Sequence, residues 1–269
     1  MPCFKATLLG IKHSGKTQLF NKLSISNYTY RKDQTYIPTV APDVSSIRIN
    51  NEINQEGLTT LLWDTPGNPR QQSLSTRIAA KSDFGLFCID LSSEMNEEEF
   101  NQFKHYIHEF RERNPTALLV IVGTKSDIAP LNALQNISDQ LTDIPFAKVI
   151  ATSARDKNGS DELHNFLAAE INQKIAQAQA LLLVNDIQRA QNRCAQHPSL
   201  YQALDKLNRE TQHLKPEVTS KLGAEALTLI NNLFNDELDD KSLCISTFLE
   251  KSNLHLNGEY HQLKNTILN

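Results

Sequence analysis

Gly10-Ile11-Lys12-His13-Ser14-Gly15-Lys16-Thr17 decides the fold, together with what flanks it. The apolar run Ala6-Thr7-Leu8-Leu9 before it reads as a buried strand. The segment after it, Gln18-Leu19-Phe20-Asn21-Lys22-Leu23, carries apolar residues at helical spacing. Strand, glycine-bounded loop and helix in that order make a phosphate-binding loop. Glycines at both ends let the backbone N–H groups curl around an anion, and the helix N-terminus adds the positive end of its dipole. Lys16 is placed to reach β- and γ-phosphates, and the Thr17 hydroxyl to bind Mg²⁺.

Working outward, strand-like and helix-like segments alternate, which predicts an α/β fold with a mostly parallel sheet. The expected strands are Phe4–Leu9, Val44–Asn50, Thr59–Trp63, Phe84–Leu91, Ala117–Val122 and Ala147–Ala151. Four of them are rich in continuous apolar residues, as expected for strands covered on both faces. The expected helices are Thr17–Ser24, Gln72–Ala80, Asn96–Glu112 and Leu131–Gln140. Glu97-Glu98-Glu99 opens the third of these, where acidic residues favour the dipole; the cluster is capping and not a metal site.

Three further motifs carry chemistry. Asp64-Thr65-Pro66-Gly67 closes an apolar strand; its carboxylate can hold Mg²⁺ through water, and the Gly67 N–H can meet a γ-phosphate. Gly123-Thr124-Lys125-Ser126-Asp127 closes another. The Asp127 carboxylate can accept from the N1–H and exocyclic amine of guanine, a pair that adenine cannot offer. The Lys125 stem can lie across the base. Thr152-Ser153-Ala154-Arg155 follows the next strand and presents the Ala154 N–H to guanine O6.

These four motifs in this order resemble the Ras superfamily of small GTPases over about residues 4–175. The resemblance implies a P-loop NTPase G domain that binds GTP and GDP with Mg²⁺. It adds Tyr36-Ile37-Pro38-Thr39 as the first switch, with Thr39 reaching Mg²⁺ and the γ-phosphate and Tyr36 closing over the phosphates. It makes Tyr28 the candidate for stacking beside guanine, although the Thr17-to-Thr39 stretch is a few residues longer than usual. Trp63-Asp64-Thr65 leans towards the Rab branch, whereas Pro38-Thr39-Val40 and Thr124 are closer to Ras and Rho.

Two departures bear on catalysis. After D-x-x-G the superfamily usually has a glutamine that orients the attacking water; here it is Asn68, one methylene shorter. Catalysis in this class is mostly positioning, so a displacement of about 1 Å costs roughly a hundredfold. Lys12 stands where Ras-like proteins often carry glycine, and its side chain crowds the water-orienting group and any arginine that a partner supplies. The expectation is a GTP/GDP switch with slow hydrolysis, resting on Lys16, Thr39 and Asn68. The alternative is a GTP-bound scaffold that hardly turns over and whose helical C-terminal domain binds a protein partner.

After about residue 160 the alternation stops and the chain reads as helical. One helix is expected from Asp161 past Ala195, then Leu200–Leu214, Ser220–Phe234, Lys241–Lys251 and Tyr260–Leu268. This divides the chain into a G domain over residues 1–176 and an all-α bundle over 177–269. Leu181-Leu182-Leu183-Val184 and Leu227–Leu233 read as bundle core, and Asp236–Asp240 as a solvated turn without a Ca²⁺-loop pattern.

A net charge of −4 leaves no electrostatic footprint for nucleic acid. Cys3, Cys88, Cys194 and Cys244 are far apart, which suits a reduced, cytoplasmic setting. No apolar run approaches a membrane span, no signal-peptide core opens the chain, and Asn265–Asn269 holds no prenylatable cysteine. The expected partners are therefore GTP and GDP, and protein effectors and regulators at the switches, with no direct lipid anchor. An Asn/Gln-rich composition around a eukaryote-like GTPase core is compatible with a bacterial effector acting in a host cytosol or at host membranes through a partner. His105 and His108, at i, i+3, lack carboxylate or cysteine co-ligands and read as exposed helix residues; of His13 only the backbone N–H is needed.

Overall fold

The computed structural model describes residues 3–31, 37–50, 57–156 and 159–193, with Asp205 and Arg209 besides. The chain divides into two units, Met1–Ala169 and Glu170–Asn269. The first holds β1 (Phe4–Leu9), α1 (Lys16–Ser24), β2 (Asp43–Asn50), β3 (Gly57–Asp64), α2 (Gln72–Ile78), β4 (Phe84–Asp90), α3 (Glu97–Arg113), β5 (Leu118–Thr124), α4 (Ala133–Gln140), β6 (Lys148–Ala151) and the start of α5 (Ser160–Arg193). The expected helices beyond residue 200 lie outside the described residues, and so does the reading of Asp236–Asp240.

The six strands form one sheet in the order β2-β3-β1-β4-β5-β6. Every pairing is parallel except β2 with β3. Only six residues join β2 to β3, and so short a link cannot make the crossover that parallel neighbours need. The other connections carry helices and are long enough. This is the mostly parallel α/β sheet that the alternation predicts.

Apolar continuity makes β4 the centre of the core, with Phe84 to Ile89 all buried. On α3, Phe103, Tyr106, Ile107 and Phe110 recur at i, i+3, i+4 and i+7, so one face is apolar and packs on the sheet. Phe87 meets Phe103, Tyr106 and Phe110 edge-on, with ring centroids 5.8, 5.8 and 5.4 Å away. Gly85 makes room for this: a Cβ there would lie 2.6 Å from the Phe110 ring. Asn96 caps α3 in a reciprocal box with Glu99, so the predicted first residue of the helix is its cap.

This framework positions the site. β1, β3, β5 and β6 all end on the same edge of the parallel sheet, where ligands of open α/β folds bind. The register pairs Leu8 with Asp64, and Thr65 Oγ1 donates to Leu8 O over 2.7 Å. The loop after β1 is thereby fixed beside the loop after β3.

Candidate functional site

The phosphate loop leaves β1 at Gly10, whose φ of +142° suits glycine and whose added Cβ would stand 2.4 Å from Cys88 O. It re-enters helix at Gly15, left-handed at φ +78°, where a Cβ would meet Thr124 Oγ1 at 2.9 Å. Thr124 Oγ1 lies 2.9 Å from Ser14 O and 3.1 Å from Ile89 O, tying the phosphate loop to the end of β5. Lys16 is buried, with its ammonium 2.9 Å from Gly10 O, 2.9 Å from Ile11 O and 3.3 Å from Ser14 Oγ. Burial pulls its pKa below the ordinary lysine value.

Next to it three oxygen-bearing side chains converge. Thr17 Oγ1 donates to Asp64 Oδ2 over 2.6 Å and lies 2.8 Å from Thr39 Oγ1; Thr39 Oγ1 is 3.5 Å from the same carboxylate oxygen. Asp64 is buried, and its Oδ1 has no hydrogen bond of ordinary geometry. Burial raises its pKa, partly offset by the Thr17 hydroxyl and the Lys16 ammonium. Two hydroxyls and a desolvated carboxylate with a spare oxygen are a hard donor set, which fits Mg²⁺ better than a softer metal. Gly67 abuts this cluster: a Cβ would lie 2.7 Å from Lys16 Nζ, 3.0 Å from Ile11 O and 3.1 Å from Lys12 Cα.

At the other end, Lys125 sits in the left-handed region at φ 58° and its ammonium pairs with Asp90. Asp127 follows on the 3-10 turn Ser126–Ile128. Ser153 Oγ donates to Asp127 Oδ1 over 2.8 Å, and Arg155 Nη1 to Oδ2 over 2.9 Å. The Arg155 guanidinium also lies over the Tyr30 ring, 5.2 Å from its centroid. A cavity of about 470 Å³ joins the two ends and is lined by the loop from Lys12 to Gln18 and by Thr39, Gly67, Thr124, Lys125, Asp127, Ala154 and Arg155 among others. Its size suits a small-molecule ligand.

Several expectations land elsewhere. Tyr28 is not among the lining residues. Its hydroxyl donates to Gln18 on α1, and Tyr30, two residues on, lines the cavity instead. The longer stretch before Thr39 is the sequence signal for that shift. Tyr36 lies outside the described residues. Asn68 lines the cavity, but its Oδ1 accepts from Arg70 N over 3.1 Å as the cap of the 3-10 turn Pro69–Gln71. His105 and His108 pair at i, i+4 with Glu109 and Glu112, and no cluster of three or more His, Cys, Asp or Glu side chains that could hold a metal occurs among the described residues. No described helix is long and apolar enough to cross a membrane.

A glycine-bounded loop feeding a helix, a lysine and threonine at its end, and a carboxylate on the neighbouring parallel strand define a P-loop NTPase fold. Comparison with known proteins narrows the class. Residues 5–127 match the family described as Roc, the Ras of Complex domain of DAPkinase. The chain is 23% identical over 187 residues to the Ras-related protein RabC of Dictyostelium discoideum, covering 65% of this chain and 90% of that one. It is 27% identical over 169 residues to Ras-related protein Rab-13 of Mesocricetus auratus (62% and 79%). Over 128 residues it is 29% identical to the Rho-related GTP-binding protein RhoE of Homo sapiens (46% and 47%). Together these matches support a Ras-superfamily small GTPase G domain in this chain.

Proposed function

We propose that this chain binds GTP and GDP with Mg²⁺ and cycles between them as a molecular switch whose own hydrolysis is slow. The observation that carries the reading is the convergence of Thr17, Thr39 and Asp64 beside Lys16, at one end of a cavity whose other end holds Asp127. In this reading the N–H groups from Gly10 to Gly15 wrap the phosphates and Lys16 pairs with the β- and γ-oxygens. Thr17 and Thr39 hold Mg²⁺ directly and Asp64 through water, and the ion, when bound, neutralises charge on the β- and γ-phosphates. Gly67 offers its N–H to the terminal phosphate. Asp127 reads guanine, Ala154 meets O6, and Lys125 and Tyr30 flank the base.

Slow turnover follows from Asn68 and Lys12. An amide whose oxygen caps its own turn is poorly free to orient water, and a lysine in the loop occupies the approach of an arginine from outside. The switch segments, about residues 30–44 and 66–80, expose Ile37, Val40, Val44 and Leu74, apolar side chains suited to a protein effector. We assign residues 1–176 to the G domain and 177–269 to a helical module for a protein partner. The Asn68 cap also favours the second reading, a GTP-loaded scaffold with little turnover.

Denaturing freshly purified protein and identifying the released nucleotide by chromatography tests this. GTP supports slow turnover, and GDP supports a working cycle. A single-turnover rate equal to that of common small GTPases would sink the slow-hydrolysis reading.

A further inference from the structure

The charge of Lys12 enters the site described so far only as an obstruction. The Lys12 Cα is among the three atoms nearest to where a Gly67 Cβ would stand, at 3.1 Å, so the loop backbone at Lys12 abuts the start of the second switch segment. Gln71 Nε2 donates to Val40 O over 3.1 Å, which brings the second switch segment against the first at the same end of the cavity. Lys12, Thr39, Gly67 and Gln71 all line that cavity.

The two loop lysines are placed differently. The Lys16 ammonium is buried and held by Gly10 O, Ile11 O and Ser14 Oγ. Lys12 is exposed, and among the described residues no carboxylate pairs with its ammonium. Its charge is nevertheless felt in the loop. Burial, then Lys12, Lys125 and Lys16, hold the neighbouring His13 imidazole below its ordinary pKa. Lys16 serves β- and γ-phosphates alike, so it favours a diphosphate and a triphosphate together. A cation beside Gly67, which the reading above gives to the terminal phosphate, discriminates between them.

We propose that Lys12 is a specificity-determining residue whose ammonium pairs with the terminal phosphate of a guanosine triphosphate, so that this chain prefers the triphosphate over the diphosphate. The inference rests on the nucleotide reading above and adds to it a direction: the resting form is the triphosphate form. It also gives Lys12 a role in ligand choice distinct from obstructing catalysis.

The test measures Kd for a non-hydrolysable GTP analogue and for GDP, by displacement of a fluorescent guanine nucleotide with Mg²⁺ present. The full chain is compared with Lys12→Met and Lys12→Arg. Lys12→Met should lower the triphosphate-to-diphosphate preference about five- to tenfold with GDP affinity unchanged within about twofold, the scale of one solvent-exposed charge-assisted contact. Lys12→Arg should keep the preference, and added salt should erode it in the unaltered chain. An unchanged preference in Lys12→Met overturns the proposal and leaves the nucleotide reading intact. Equal loss of both nucleotides in Lys12→Met also overturns it, because Lys12 would then shape the loop. If the unaltered chain binds neither nucleotide, the nucleotide reading falls and takes this inference with it.

Discussion

Arg155 Nη1 stands 2.9 Å from Asp127 Oδ2, while Ser153 Oγ holds the other carboxylate oxygen at 2.8 Å. Each oxygen keeps a further lone pair, so the two donors orient the carboxylate and leave it able to accept from a base. Arg155 in turn lies over Tyr30, so the loop after β6 and the segment leading to the first switch meet at the base end.

Asp127→Asn removes the charge that both donors address and replaces one acceptor by an amide donor. Guanine nucleotide affinity should fall by roughly a hundredfold, the loss expected when charged hydrogen bonds go unmade, and xanthine nucleotides should be favoured. Folding should barely change, because a partly exposed ion pair contributes at most about 1 kcal/mol. Nucleotide titration and urea unfolding of the same variant separate the two effects. Unchanged GTP affinity would show that Asp127 does not read the base.

Asp90 supplies a pH dependence. Burial alone would raise its pKa, but hydrogen bonds from the Lys125 ammonium and from Ser92 outweigh it and hold the carboxyl below its usual range. A depressed folded-state pKa stabilises the protein above the unfolded value, near 3.8, and that contribution is lost as pH falls through the folded value. Asp90→Asn should therefore cost stability at neutral pH and flatten the acid limb below about pH 4. Urea unfolding of both proteins from pH 7 down to 3 checks this, and parallel curves would count against it.

Much of this was legible in the order of residues, for physical reasons that differ by element. Continuous apolar runs mark β4 and β5 because strands covered on both faces have no polar side to show. Glycines mark the phosphate loop because Gly10 and Gly15 adopt backbone angles and approaches that a Cβ forbids. Side-chain choices among near neighbours were not legible. Tyr28 and Tyr30 are the same residue type two positions apart, and only the packing that gives Tyr28 to Gln18 decides which lines the cavity. The capping role of Asn68 depends on the 3-10 turn at Pro69, a local geometry that periodicity does not report. The pairing of Arg155 with Asp127 joins residues 28 apart, through a loop conformation set by the fold.

Gly67 is constrained by closeness rather than by its backbone angles. Alanine there would put a methyl 3.0 Å from Ile11 O and 3.1 Å from Lys12 Cα, both backbone atoms, and 2.7 Å from the Lys16 ammonium. The ammonium can swing aside, whereas the loop backbone must shift by a few tenths of an ångström. Gly67→Ala should therefore weaken binding of a non-hydrolysable GTP analogue by at least tenfold and of GDP less steeply, since the displaced Lys16 ammonium serves both, with overpacking costing about 1–3 kcal/mol of stability. Equal affinities for the analogue before and after the change would remove Gly67 from the phosphate site.

Asn68 separates an impaired catalyst from a tolerated substitution. Its Oδ1 accepts from Arg70 N over 3.1 Å, so the side chain serves the turn Pro69–Gln71 and is exposed at the cavity mouth. Asn68→Ala removes a cap, which costs about 1 kcal/mol, and should scarcely change a hydrolysis rate that the asparagine hardly supports. Asn68→Gln lengthens the arm by one methylene and restores the reach that water positioning needs. Single-turnover GTP hydrolysis should then rise by about tenfold or more, since a misplacement of about 1 Å costs roughly a hundredfold in such reactions. A large rate loss in Asn68→Ala, with no gain in Asn68→Gln, would instead make asparagine the working water-orienting group and remove the basis for slow turnover. Lys12→Gly combined with Asn68→Gln tests whether the obstruction has two parts. Both residues line one cavity next to Gly67, so their effects should not add. A double variant no faster than Asn68→Gln alone would confine the obstruction to the water-orienting position.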